Sequence, residues 1–280
     1  MKTKMTAVLT IIAAGIIAGC GSSGTNTPAT SISGKVADGY LVNATVFMDK
    51  NNPPNYRLDP GEPSTTTDAN GAFTLNVDPA DVGKFPIVVI ATNGVTIDMD
   101  NPGVPIAGGS YVLSMPAAAV SGTVNSNFIS PMSSQLRELM ETGKYATMRD
   151  AMNDLGTKLG MPAGTNMMAD YMAANNTTMH TAARNMAGLM GSQMAQVLTT
   201  NGSTTTVDVN RYRGMMGMIF SNLSSVDGSG ADVQAAMTSL MGTMTTTLSI
   251  MPMTSTVQPF LNMSAAFRGS MMTGTTGGMM

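Results

Sequence analysis

Six oxygen-bearing residues crowd a short segment, 49-DKNNPPNYRLDPGE-62: Asp49, Asn51, Asn55, Arg57, Asp59 and Glu62. Carboxylates, carboxamides and a main-chain carbonyl are hard donors, the set Ca²⁺ prefers when it gathers six to eight oxygens. A twelve-position calcium loop draws on positions 1, 3, 5, 7, 9 and 12. Counting Asp49 as 1 and Asn51 as 3 puts Pro53 at position 5, where it has no side-chain oxygen. Looping out Asn52 and Pro53 restores the spacing, with Asn55 at 5, the Arg57 carbonyl at 7, Asp59 at 9 and Glu62 at 12. Leu58 then falls at the apolar position 8, while Tyr56 stands where such loops carry Gly. The alternative is a solvated Asx/Pro turn that binds nothing.

Other groups offer less chemistry. Asp98, Asp100 and Asn101 form a second acidic cluster, but the alternation in TIDMD accounts for it as a wet strand face. Asp68 starts the Asp68–Gly71 turn through an Asx bond. The one histidine, His180, reads as a surface or cap residue of a helix starting near Asn176. No Ser-His-Asp set, G-x-S-x-G, H-E-x-x-H or phosphate-loop pattern occurs. A hydrolase with paired carboxylates has no local sequence support, so a non-enzymatic protein is expected, with a hydrolase the less favoured reading.

The chain holds 30 methionines. Thioethers suit Cu(I), and Met186, Met190 and Met194, like Met237 and Met241, recur at helical spacing. Copper handling is therefore an alternative function. Met also fills helix cores in place of Leu, and these stripes coincide with the Ala/Leu stripes. A pliable, exposed Met surface for apolar partners is a third option.

Three textures position these residues. The first is 1-MKTKMTAVLTIIAAGIIAGC-20, with Lys2 and Lys4 ahead of a short apolar run, too short for a spanning helix. Residues 21–31 are a Gly/Ser/Thr tether. Residues 32–116 carry short β-branched runs separated by Asp38-Gly39, Asn70-Gly71, Asn93-Gly94 and Gly108-Gly109, a pattern that predicts a small antiparallel β-sandwich. PIVVIA, apolar on both faces, is expected to be a central strand. Residues 117–130 read as a linker, and helical spacing follows from 131 to 272, ahead of a disordered tail at 273–280. The expectation is an α+β chain of two domains, a sandwich followed by an all-α bundle of five or six helices. With 11% charged residues, a net charge of −3 and no basic patch, nucleic acid is not an expected partner.

Two resemblances sharpen this reading. Ile17-Ala18-Gly19-Cys20 resembles the lipobox of bacterial lipoproteins. That implies cleavage after residue 19, diacylglycerol on the Cys20 thiol and acylation of its amine, and so a membrane anchor. Gly21 at the next position resembles the outer-membrane sorting class. An ordinary signal peptide with an incidental cysteine is the alternative. The stretches ISGKVADGYLVNATVFMDKN and NYRLDPGEPSTTTDANGAFTL resemble the carboxypeptidase-regulatory-like, or transthyretin-like, sandwich modules of bacterial surface proteins, over roughly residues 32–100. The resemblance implies Ca²⁺ in the first run and a hairpin in the second. FISPMSSQLRELM and the segment after it look like helical regions that follow such modules, with Met132 in place of Leu. Together these imply a lipid-anchored envelope or surface protein with a binding or structural role and an envelope or surface partner.

Overall fold

A computed structural model describes residues 30–122, 127–201 and 204–253. Cys20, the apolar leader, nearly all of the tether, the end of the expected helical span (254–272) and the tail lie outside the described residues.

The chain is a mixed α+β fold, with sheets in the N-terminal half and helices in the C-terminal half. One sheet runs β5-β1-β9, from β1 (Thr30–Val36), β5 (Ala72–Val77) and β9 (Asn127–Ile129). The other runs β4-β3-β6-β8, from β3 (Thr45–Met48), β4 (Ser64–Thr66), β6 (Ile87–Ala91) and β8 (Tyr111–Met115). The short pair β2 (Leu41–Val42) and β7 (Ile97–Asp98) stands beside them. β6, the PIVVIA strand, is interior to its sheet as its two-sided apolarity requires. β5 alternates cleanly, burying Phe73, Leu75 and Val77 and turning Thr74 and Asn76 outward.

Residues 117–130, read as a linker, contribute β9, which pairs parallel with β1. The sheet is thus not purely antiparallel. A three-residue strand is too short to show a period, which is why sequence patterning passed over it. Gly34 permits the pairing, since a Cβ there would lie 1.9 Å from the Asn127 carbonyl oxygen.

The helices are α1 (Pro131–Glu141), α2 (Met148–Lys158), α3 (Thr177–Val197), α4 (Val209–Ser221), the short α5 (Leu223–Val226) and α6 (Ala231–Ile250). Ser130 caps α1 in a capping box with Ser133, Pro131 occupies the first turn, and Gly143 (φ +67°) follows the C-terminus. Asn176 caps α3 on the Met179 N–H. An unanticipated hairpin, β10 (Leu198–Asn201) with β11 (Thr204–Val207), joins α3 to α4.

The two halves share one apolar core, in which Val88 and Leu113 of the sheets are continuous with Leu136, Met186 and Met216 of the helices. The helices also finish the sheet. β8 is an edge strand, and an edge leaves alternate main-chain groups unpaired. Ser133 Oγ donates to the Ser114 carbonyl (2.7 Å), the Ser114 N–H donates to Ser134 Oγ (2.8 Å), and Tyr212 Oη donates to the Val112 carbonyl (3.0 Å). No described helix is long and apolar enough to cross a membrane.

One buried group on α1 is not satisfied. Gln135 is fully buried, and neither end of its amide has a hydrogen-bond partner among the described residues. Leaving such a group unpaired costs about 1–3 kcal/mol. Gln135→Leu is therefore expected to raise the urea midpoint with an unchanged m-value; an equal or lower midpoint would show that the amide is satisfied.

Candidate functional site

The segment between β3 and β4 leaves the sheet at Met48 and returns at Ser64. It brings the side chains of Asp49, Asn51, Asn55, Asp59 and Glu62 together in one hydrogen-bonded cluster. Asp49, at the buried end, accepts the Asn51 N–H on Oδ1 (3.1 Å) and the N–H groups of Asn55 (2.9 Å) and Tyr56 (2.8 Å) on Oδ2. Asp59 Oδ2 accepts from the amides of Asn51 (2.8 Å) and Asn55 (2.7 Å). Glu62 Oε1 accepts the Lys50 N–H (2.7 Å) and the Asn51 amide (3.3 Å), and its Oε2 accepts the Asp59 N–H (2.9 Å). The Arg57 N–H donates to Asn55 Oδ1 (2.9 Å), while its guanidinium pairs with Asp59 Oδ1 (3.4 Å).

Asn52 and Pro53 are exposed, and the peptide between them is cis. The two-residue bulge therefore points away from the cluster, and Asn51 and Asn55 meet on the same carboxylate as if consecutive in the spacing. Tyr56 takes the left-handed conformation (φ +57°) that a loop of this kind normally gives to Gly. That conformation costs a non-glycine residue about 1–2 kcal/mol. Its N–H on Asp49 and the burial of its ring offset the cost.

Electrostatics divides the three carboxyls. Burial raises Asp49 above the usual carboxylate range, against the pull of its backbone donors. Glu62 is also raised, chiefly by desolvation. Asp59 is lowered, first by the Asn55 amide.

The donor chemistry suits a hard cation: three carboxylates, two carboxamides that can present either end, and the Arg57 carbonyl. Carboxylates alone would not suffice, since no three His, Cys, Asp or Glu side chains among the described residues lie close enough to hold a metal. Any ion here depends on Asn51, Asn55 and main-chain oxygen.

Tyr56 ties this loop to the helices. Its ring packs at 4.6 Å against Tyr212 of α4, tilted by 41°, and lies 4.5 Å from the Arg137 guanidinium of α1. Its hydroxyl donates to Glu138 Oε1 and receives a hydrogen bond from Arg137. Glu138 Oε2 accepts from Arg213 Nε (3.2 Å), and Glu141 bonds to both Arg137 (2.7 Å) and Arg213. Glu138 is completely buried, and Arg137 and Arg213 nearly so. Sequence reasoning missed this network because its three parts, around Tyr56, Arg137 and Arg213, lie far apart along the chain; the one local signal was a charged pair, Arg137-Glu138, between Leu136 and Leu139 of a helix.

The remaining candidates sit elsewhere. Asp98 and Asp100 do not form a simple wet face. Asp98 is half-buried beside the Asp38–Gly39 turn, and Asp100 Oδ2 meets His180 Nε2 (2.8 Å) and Arg184 Nε (3.1 Å) of α3. His180 also stacks on Tyr171 at 6.1 Å. Met186, Met190, Met194, Met237 and Met244 are buried in the common core, and Met241 packs partly against it. Met99 and Met253 are the large exposed methionines among the described residues, and they do not form a stripe.

No protein-family model, curated protein or solved structure matches the chain.

Removing one partner from a buried ion pair strands the other charge and typically costs about 3–5 kcal/mol. Glu138→Gln is expected to destabilise the chain by that amount in urea unfolding. Tyr56→Phe, which deletes only the hydroxyl, should cost about 1–3 kcal/mol. A change below about 0.5 kcal/mol for Glu138→Gln would show that the network adds nothing to the junction.

Proposed function

We propose that this is an exported, lipid-anchored protein of the cell envelope, without enzymatic activity. On this reading its sandwich carries Ca²⁺ on the Asp49–Glu62 loop and serves as a binding or structural module. The observation that carries it is the meeting of Asp49, Asn51, Asn55, Asp59 and Glu62 in one cluster with Asn52 and Pro53 turned outward. Calcium would be held by no more than two of the carboxylates Asp49, Asp59 and Glu62 at once, together with the amide oxygens of Asn51 and Asn55 and the Arg57 carbonyl. The ion supplies the divalent charge that the loop's neutral donors replace only in part. In the metal-free chain, the raised Asp49 and Glu62 carboxyls lose stability as pH rises through the range where the unfolded chain ionises. Calcium, which binds the ionised form, removes that cost.

The anchoring half of the proposal rests on the lipobox-like Ile17-Ala18-Gly19-Cys20 and the polar tether behind it. The sandwich and helical bundle are proposed as the two lobes of the module, with the Tyr56–Glu138 junction between them. The methionines of α3 and α6 are proposed as packing rather than copper ligands, a reading supported by their burial beside Leu and Ala.

Titration calorimetry on the purified chain tests the ion. A Kd near the ~10⁻⁴–10⁻³ M of extracellular modules is expected. Calcium at about 100 times Kd should add about 2.7 kcal/mol of stability. Asp59→Ala should abolish both effects, and acidification towards the carboxylate range should weaken binding as Asp49 and Glu62 protonate ahead of Asp59. No heat and no change in Tm at ~10 mM Ca²⁺, tenfold above that range, would refute the calcium site.

The anchor has its own readout. Labelled palmitate should enter the wild-type chain and partition it into the membrane fraction, whereas Cys20→Ser should take up no label. Label on the Cys20→Ser chain would overturn the anchor.

A further inference from the structure

A second site lies where the β half meets α3, away from the Asp49–Glu62 loop. The cavity there has a volume of about 520 Å³, inside the roughly 300–1,000 Å³ typical of small-molecule sites. Asp38, Asp98 and Tyr111 line one side, Ile106 and Gly108–Gly109 the rim, and Arg184, Ala187 and Gly188 of α3 the other. The β2–β7 pairing, Leu41 opposite Asp98, sets Asp98 against the Asp38–Gly39 turn. So close is the approach that a Cβ on Gly39 would lie 2.1 Å from Asp98 Oδ1. The rim is laid directly on α3: Gly109 has φ +106°, and a Cβ there would fall 2.4 Å from the Gly191 carbonyl oxygen.

Asp38 is the unusual member. It is buried to 6% exposure; its Oδ2 accepts from Tyr111 Oη at 2.8 Å, and its Oδ1 has no hydrogen-bond partner among the described residues. A buried carboxyl half-satisfied and beside a second carboxyl is costly unless something pairs with it. The protein's own cations do not. Arg184 and His180 pair directly with Asp100 and act on Asp98 only through longer-range attraction, which leaves Asp38 and Asp98 as acidic lining without an ion pair. The carboxylates are not grouped tightly enough for one metal ion, as no three His, Cys, Asp or Glu among the described residues are so placed. Ile106, Ala107 and Ala187 give the cavity apolar wall.

We propose that this cavity binds a small organic ammonium compound, its cationic head on the Asp38 and Asp98 carboxylates and its carbon chain along Ile106 and Ala187. Burial, and then the charge of Asp98, push the Asp38 carboxyl up to about 8. The head group therefore displaces a proton from Asp38 on binding. The other titratable or charged groups around the floor are Asp98, Asp100, Tyr111 and, from the helical half, Tyr171, His180 and Arg184. An alkylammonium stays charged below about pH 10, so affinity rises with pH through the range in which Asp38 ionises.

The test uses cadaverine and its neutral analogue N,N′-diacetylcadaverine on the full chain purified in detergent, by calorimetry in two buffers of different ionisation enthalpy. Expected are cadaverine binding at millimolar or tighter Kd, proton release on binding, and affinity that increases at least about threefold between about pH 6.5 and about pH 8.5. Diacetylcadaverine should not bind. Asp98→Asn should weaken cadaverine at least about tenfold, and Asp38→Asn should abolish proton release; near-UV circular dichroism identifies any variant that has lost its fold. For folded variants, unchanged affinity in Asp98→Asn overturns the proposal, as do equal binding of the neutral analogue, displacement of cadaverine by millimolar Ca²⁺, or no cadaverine binding to the wild type. Because the Asp49–Glu62 loop lies elsewhere, Asp59→Ala should leave cadaverine affinity unchanged, which separates this site from the calcium reading.

Discussion

Glu138 is a carboxylate with no exposure to water, and the junction between sheet and helices is built around it. An ionised group in such a place survives only with charge partners and complete hydrogen bonding. Arg213 comes from α4, Arg137 from the neighbouring position of α1, and the Tyr56 hydroxyl from the loop between β3 and β4. Glu141 pairs with both arginines from the next turn of α1. Three distant parts of the chain must therefore arrive together, and a misplacement of any of them leaves a buried charge unpaired.

The same junction settles two further difficulties. β8 would expose alternate main-chain groups along its edge, and Ser133, Ser134 and Tyr212 occupy them. The loop before β4, polar and poor in apolar contacts, would otherwise hold itself in place only by its own hydrogen bonds. Tyr56 gives it an aromatic anchor inside the protein, and Asp49, one turn of hydrogen bonding away, is buried as a result. That burial raises the Asp49 carboxyl and pre-forms the cluster proposed to take calcium.

The cavity beside Asp38 follows a different logic. There the acidic groups are drawn together by strand register rather than by attraction, and α3 makes direct ion pairs with Asp100 while reaching Asp98 only at longer range. The result is a floor with an unmet need for positive charge, in contrast to the closed network at Glu138. Two clusters of similar composition thus differ because one has its cations built in.

Much of the local structure was legible in the residues. Ser130-Pro131 and Gly143 bound α1, Asn176 caps α3, two-sided apolarity places β6 inside its sheet, and donor spacing with a bulge at Asn52-Pro53 foretells which side chains of the loop meet. These depend on neighbours within about a dozen positions, where spacing carries the information. What only the tertiary structure decided was β9 on β1, the β10–β11 hairpin, the docking of Asp100 on α3, the Glu138 network and the half-paired Asp38. Each depends on groups that packing brings from tens of positions or more away, or on strands too short to show a period. Burial turns an ordinary Asp or Glu into a perturbed one, and burial is a property of the assembled core.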